Sequence, residues 1–282
     1  MEISNKVFEG ERSLFSSTNL IIDNCIFQNG ESPLKESKDL CINGSTFKWK
    51  YPLWYCNNVV VKDSTLEVTA RSGIWYTHNI TISDTLIEAP KTFRRSSFIT
   101  LNNVKMPNAL ESMWNCKNIV LNDVGLVGDY FAFGSENIEA NNLTIDGNYS
   151  FDGGKNIVIR NSKLISKDAF WNCENVIVYD SLIVGEYLGW NSKNITFINC
   201  TIESLQGMCY MENLKMVNCK LVNTNLAFEY SNVDASICGC VDSIKNPTAG
   251  IISVDEVKEV ILEEEYVDKS KIKIIVGGSK NE

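Results

Sequence analysis

The stretch NVIVYDSLI, residues 175–183, is followed nineteen residues later by NITFINCTI (194–202) and nineteen after that by NLKMVNCKL (213–221). The same nine-residue phrase can be traced back toward the N-terminus. Its copies start at Asn19, Asp39, Asn58, Asn79, Phe98, Asn118, Asn137, Asn156, Asn175, Asn194, Asn213 and Asn232, twelve in all. The steps are 20, 19, 21, 19 and 20, then 19 without interruption. A fixed period this short is the signature of a solenoid, in which each unit buries its apolar face only against its neighbours.

The letters inside the phrase select the type of solenoid. Apolar residues fall at positions two, four, seven and nine, as in Val176, Val178, the small Ser181 and Ile183. Alternation of this kind is strand behaviour, not the 3.6 period of a helical repeat. Position six is Asn, Asp or Gly in almost every copy, for example Asp63, Asn142, Asp180 and Asn199. These residues tolerate left-handed backbone and bond locally, so position six is a turn. Short strands joined by Asn-rich corners predict an all-β chain, a right-handed parallel β-helix of about twelve coils with capped ends. The expected domain plan is a β-helix over 1–240 and a C-terminal β cap over 241–282 on the last coil, within the same domain. Residues 1–18 are expected to cap the first coil.

A further strand precedes each phrase. Four residues before it stand Trp54, Trp75, Trp114, Phe133, Trp171, Trp190 and Phe228. Taken with the residues two and six before the phrase, they form a second period-two face, which is expected to point inward. Phe93, Met113, Phe151 and Phe170, together with Arg95, Asn115, Asn172 and Asn191, would then point outward. Arg94 and Asp152 break the aromatic column. Each is either bulged outward or retained as a functional charge, because a buried charge is costly unless paired. The Asn residues at position one are expected to pair from coil to coil, and Cys200, Cys219 and Cys238 to stack as a thiol ladder. His78, the sole histidine, reads as a satisfied corner residue.

Bulk properties exclude several functions. The net charge of −9 argues against nucleic-acid backbones and anionic membranes as partners. No apolar run reaches the roughly 18 residues of a membrane span, and MEISNKVFEGERS lacks the basic and apolar regions of a secretory leader. The ten cysteines contain no C-x-x-C pair, and reduced thiols in a cytoplasmic protein are the expectation. No metal and no cofactor is expected.

The motifs GESPLKES (30–37), FKWKYPLWY (47–55), SGIWYTHNI (72–80), APKTFRRS (89–96), GDYFAF (128–133), SKDAFWNCEN (166–175) and GEYLGWNS (185–192) resemble the DUF3737 family of bacterial proteins, over essentially the whole chain. The resemblance implies a pectin-lyase-like β-helix and no established activity. Some members carry a hydrogenase label, for which this sequence offers no paired cysteine ligands. Relatives of the fold include polygalacturonases with a Gly-His-Gly, a triplet missing here, and fold alone does not carry function.

The column seven and eight residues before each phrase is the most informative for chemistry. It places Tyr130, Tyr149 and Tyr187 beside Asp129, Lys167, Asp168 and Glu186. With Phe170, Asn172 and Asn191 outward, aromatic plates and polar groups would form a face suited to a saccharide-like ligand. The same face would also serve self-association as a homodimer. An alternative is a carbohydrate-active enzyme of lyase or hydrolase type, with Asp168, Glu186, Lys167 and Arg95 as catalytic candidates and Asp168 and Glu186 as a carboxylate pair.

Overall fold

Equivalent letters of the phrase lie on top of one another. In the computed structural model, which describes residues 1–277, the chain is a parallel β-solenoid of about fourteen turns whose one helical element is the 3-10 turn Lys269–Lys271. The chain divides into two compact units, Met1–Asp146 and the chain from Gly147 onward.

In the first unit the second letter of the phrase forms the column Leu20, Leu40, Val59, Ile80, Ile99, Ile119 and Ile138, each paired in parallel with the next. All seven are buried. In the second unit the fourth letter runs Ile159, Val178, Phe197, Met216, Ala235 and then Ile252, again in parallel register and buried. Each buried aliphatic or aromatic side chain of this kind stabilises the fold by about 1.5–3 kcal/mol.

The surplus over twelve coils comes from the ends. Residues 1–18 do not merely cap: Glu2–Ser4 and Val7–Glu9 pair in parallel with Thr18–Asp23 and Ile26–Gln28. Phe8 stacks on Phe27 at 5.0 Å, and Phe27 on Phe47 at 4.9 Å, so the first coil shares the core. At the other end Gly250–Ile261 and Ile272–Val276 are further parallel rungs. Residues 278–282 of the expected cap lie outside the described residues.

The Asn corners form as expected. Within the first unit Asn58 donates to Asp39 (2.8 Å), Asn79 to Asn58 (2.9 Å) and Asn137 to Asn118 (2.9 Å). Within the second, Asn175 donates to Asn156 (3.0 Å), Asn194 to Asn175 (2.9 Å) and Asn213 to Asn194 (2.8 Å). These residues sit in the left-handed region, at φ 58° for Asn79 and 55° for Asn194, which Asn tolerates at little cost. His78 makes a 2.9 Å contact from Nδ1 to the Ser97 hydroxyl and meets the Phe98 ring edge-on.

The strand before each phrase differs from expectation. It is not extended but alternates left-handed and extended residues. In the coil at 168–172, Asp168, Phe170 and Asn172 have φ of 56°, 58° and 54°. Period-two facing requires uniformly extended backbone, and each left-handed residue turns the chain. Two consecutive side chains, six and five before the phrase, therefore face inward. Phe93, Met113, Phe151 and Phe170 are fully buried, not outward. The tryptophan column four before the phrase is half-buried, and Arg95, Asn115, Asn172 and Asn191 are exposed. Arg94 and Asp152 follow the same half-buried column, so no bulge is needed to bring them out.

The thiol ladder is shorter than expected. Cys200 and Cys219 are buried, but the pairing shifts so that Met216 meets Ala235 while Cys219 meets Ile237. Ile237 takes the inward slot and Cys238 is turned to solvent.

Candidate functional site

The sequence-predicted strip is divided between the two units, and each part is built by its own coils. In the first unit Tyr130 is 36% exposed and packs edge-on against Trp114 at 6.4 Å. The Trp114 indole donates to the Tyr130 carbonyl oxygen at 2.8 Å, and the backbone N–H of Glu111 donates to the Asp129 carbonyl at 2.9 Å. Arg95 is exposed in the column that also carries Tyr55 and Tyr76. Two aromatic pairs here are parallel, Trp54 and Trp75 at 5.2 Å and 8° and Tyr55 and Tyr76 at 4.7 Å and 6°, whereas Trp114 and Phe133 are tilted by 45°. Parallel rings cover each other's faces and offer solvent only their edges.

In the second unit the rings are tilted. Tyr149 and Trp171 are 6.4 Å apart at 45°, and Trp171 and Trp190 are 6.5 Å apart at 51°. Tyr187 meets Trp190 at 5.2 Å and 74°, Trp190 meets Tyr210 at 5.2 Å and 60°, and Tyr210 meets Tyr230 at 5.4 Å and 45°. Rings tilted this far cannot cover one another, and Tyr210 remains 45% exposed. Gly189 sits between Tyr187 and Trp190 at φ 71°, the left-handed slot that Phe170 fills one coil earlier.

Polar groups line these rings. Asp168 is buried, 4% exposed, and its carboxylate accepts a hydrogen bond from Tyr149. Burial pushes its carboxyl above the ordinary aspartate range. Lys167 opposes that rise, and Glu186 reinforces it. Glu186 itself pairs with Lys167, Oε2 to Nζ at 3.2 Å, which raises the lysine through that hydrogen bond and charge. The Lys167 ammonium also lies 5.1 Å from the Tyr187 ring centroid. Asn172 donates to Asp152 at 3.0 Å, and Asn191 to Asn172 at 2.8 Å.

One indole stands out. Trp75, Trp114 and Trp190 each donate Nε1–H to the carbonyl sixteen residues on, at 2.7–2.8 Å. Trp171 Nε1 is shielded from solvent and has no partner. Buried donors without partners are rare and mark places where another group belongs.

The coordinates thus bring together Tyr149, Lys167, Asp168, Glu186, Tyr187, Asn172 and Asn191 within the second unit. They remove Phe170, which is a core residue stacked on Phe151 at 5.4 Å and 13°. Glu186 is engaged with Lys167 and not held as the partner of Asp168. Sequence reasoning missed Trp171 and Trp190 because it turned their column inward, and passed over Tyr210 although it shares the outward column of Asn172 and Asn191. The Asn and Gly residues next to the tryptophan column, Gly153, Asn172 and Asn191, carried the signal of left-handed backbone. Among the described residues no group of three His, Cys, Asp or Glu side chains is placed to hold a metal ion, and no helix is long and apolar enough to cross a membrane.

Stacked parallel coils with left-handed corners define a parallel β-helix protein. Within that class the chain belongs to the DUF3737 family, described as protein of unknown function, whose model matches residues 1–275. Among solved structures it is similar to the A-module of the mannuronan C-5 epimerase AlgE4 of Azotobacter vinelandii, with 8% identity, 97% and 88% of the two chains covered and a TM-score of 0.34. It is also similar to PfbA, a surface adhesin of Streptococcus pneumoniae, with 11% identity, 97% and 84% covered and a TM-score of 0.40. The periplasmic alginate epimerase AlgG gives 9% identity, 91% and 77% covered and a TM-score of 0.35. At these identities the likeness extends to the fold alone. No curated protein matches the chain.

Proposed function

We propose that the second unit binds a saccharide-like ligand on the face formed by Tyr149, Trp171, Tyr187, Trp190 and Tyr210. The observation that carries this reading is the tilt of the rings beside polar groups open to solvent. Sugar recognition needs an uncovered ring face for C–H contact and adjacent donors and acceptors for hydroxyls. The tilted pairs supply the first. The exposed amides of Asn172 and Asn191 and the Lys167–Glu186 pair supply the second. The parallel Trp54–Trp75 and Tyr55–Tyr76 stacks of the first unit cover each other's faces and are poorer platforms.

A second reading is favoured by the two carboxyls. Asp168 is held toward its protonated form by burial, and Glu186, one coil on, pairs with Lys167. A carboxyl raised by burial with a second carboxyl on the adjacent coil is a starting point for acid–base chemistry on sugar bonds. Ten free thiols, most of them buried, support a reducing, cytoplasmic setting.

The test is a glycan array with the wild-type protein and Tyr210→Ala, followed by titration of the best glycan. Binding that falls about tenfold or more in the variant supports the reading, since an aromatic contact adds about 0.5–1.5 kcal/mol beyond the area it buries. Absence of binding to any glycan by the wild type overturns it. A concentration-dependent dimer that Tyr210→Ala disperses would assign the face to self-association instead.

A further inference from the structure

Arg94, in the first unit, stands where its neighbours carry a ring. Its guanidinium carbon lies 4.6 Å from the ring centroid of Trp75 and 4.6 Å from that of Trp114. A guanidinium between two indoles is fixed in orientation and partly stripped of water. Nε and Nη2 are shielded from solvent and make no hydrogen bond. The nearest counter-charge is Glu111 Oε2, 3.5 Å from Nη2 but too poorly aligned for a hydrogen bond. The same oxygen is closer to Lys91 Nζ, at 3.0 Å. One carboxylate therefore faces two cations.

Two more arginines lie on the same coil and on the one before it. Arg95 follows Arg94 and occupies the exposed column of Tyr55 and Tyr76, and Arg71 is exposed on the preceding coil. Neither takes part in an ion pair among the described residues, although other exposed lysines of the chain, such as Lys117 and Lys155, pair with a glutamate of the next coil. Two cations sharing one carboxylate, with two arginines without ion pairs on the same and the preceding coil, are unusual in a chain whose net charge is −9. Such a local excess of positive charge attracts anions to the spot against the overall field.

We infer that Arg71, Lys91, Arg94 and Arg95 form an oxyanion-binding site of the first unit. Its ligand carries a carboxylate or phosphate group, which Arg94 and Arg95 receive through their guanidinium forks. Glu111 is the intramolecular competitor, holding Lys91 and Arg94 in place until the ligand arrives. This inference does not rest on the saccharide reading of the second unit.

The experiment is calorimetric titration of the full chain at low salt with inorganic phosphate, with trigalacturonate, and with maltotriose as the uncharged control. The expected result is binding of at least one of the two anions and not of maltotriose. Tighter binding of trigalacturonate assigns a carboxylate on a sugar body, and tighter binding of phosphate assigns a phosphoryl group. Arg95→Gln, at an exposed position where folding is not at stake, should weaken the anion about tenfold, as expected for loss of a charge-assisted hydrogen bond. Glu111→Gln should strengthen it several-fold, because the competitor is gone. A merely structural role for Arg94 gives no such gain. The inference is overturned if neither anion binds at millimolar concentration, if Arg95→Gln binds like the wild type, or if Glu111→Gln leaves affinity unchanged or lower.

Discussion

Gly185 passes the carbonyl oxygen of Ser166 so closely that a Cβ built on it would stand 2.1 Å from that oxygen. Its φ of 157° adds a conformation that side chains disfavour. The two coils can approach at this corner, just ahead of Glu186 and Tyr187, only because residue 185 has no side chain. Gly185→Ala should therefore lower stability by about 3 kcal/mol, the upper part of the usual range for single substitutions. A urea unfolding midpoint equal to that of the wild type would refute the assignment.

Phe170 and Trp190 should separate core from face. Phe170→Ala empties a fully buried slot beside Phe151 and should cost about 3–5 kcal/mol. Trp190→Ala removes a half-buried ring and should cost less stability while abolishing binding of the glycan found for the wild type. Urea titrations of both variants, with glycan titration of the second, check the contrast. Equal destabilisation would count against it.

The pH dependence of stability should carry the mark of Asp168. Burial raises its folded-state pKa above the unfolded value, so the native protein binds that proton more tightly. Its contribution is then fully present below the unfolded value, about 3.9, and is lost as pH rises through the raised folded value. Asp168→Asn cannot titrate. The stability of the wild type relative to this variant should thus decline from acid toward neutral pH and level off above the folded pKa. Denaturant titrations at a series of pH values measure the difference, and a difference that rises with pH would contradict the burial argument.

The Asn ladder should show its two roles at Asn194. Its side chain donates to Asn175 and accepts from Asn213, and its backbone is left-handed. Asn194→Ala loses both bonds and adds left-handed strain, for a cost of about 2–3 kcal/mol. Asn194→Gly loses the bonds without the strain and should be the milder change. Chemical denaturation of the pair ranks them directly.

Thiol accessibility should follow burial. Burial pushes Cys56, Cys116 and Cys209 up to about 12, so they should stay unreactive toward a thiol reagent near neutral pH until the chain unfolds. Cys238 is exposed and should label first. Mass spectrometry of a timed labelling reaction identifies the order.

The solenoid was legible because its period is written in side chains that stack: the Val and Ile of positions two and four, and the Asn of positions one and six. The site was only partly legible. Tyr149, Asp168 and Glu186 could be placed on adjacent coils by counting. Which way Phe170 and Trp171 face could not, because facing depends on backbone dihedral angles as well as on spacing. Phe170 adopts a left-handed conformation that a phenylalanine does not advertise. Its neighbours Asn172 and Asn191 do, but only when read as backbone signals and not as surface polar groups. The register shift that turns Cys238 out is marked in the letters of the twelfth copy, NVDASICGC, where Ile237 replaces the Asn, Asp or Gly of position six.

The strict nineteen-residue step has a consequence for how such a chain can lengthen or shorten. If residues 175–193 were excised, Asn156 would meet Asn194, Ile157 would meet Ile195 and Ile159 would meet Phe197, each a pairing of the kind already present. A cut far from a whole number of turns, which here measure 19 to 21 residues, would set corners against strands. Genes for this architecture can therefore gain or lose whole turns by recombination while intermediate lengths are rejected at the level of folding, so the protein's size is quantised.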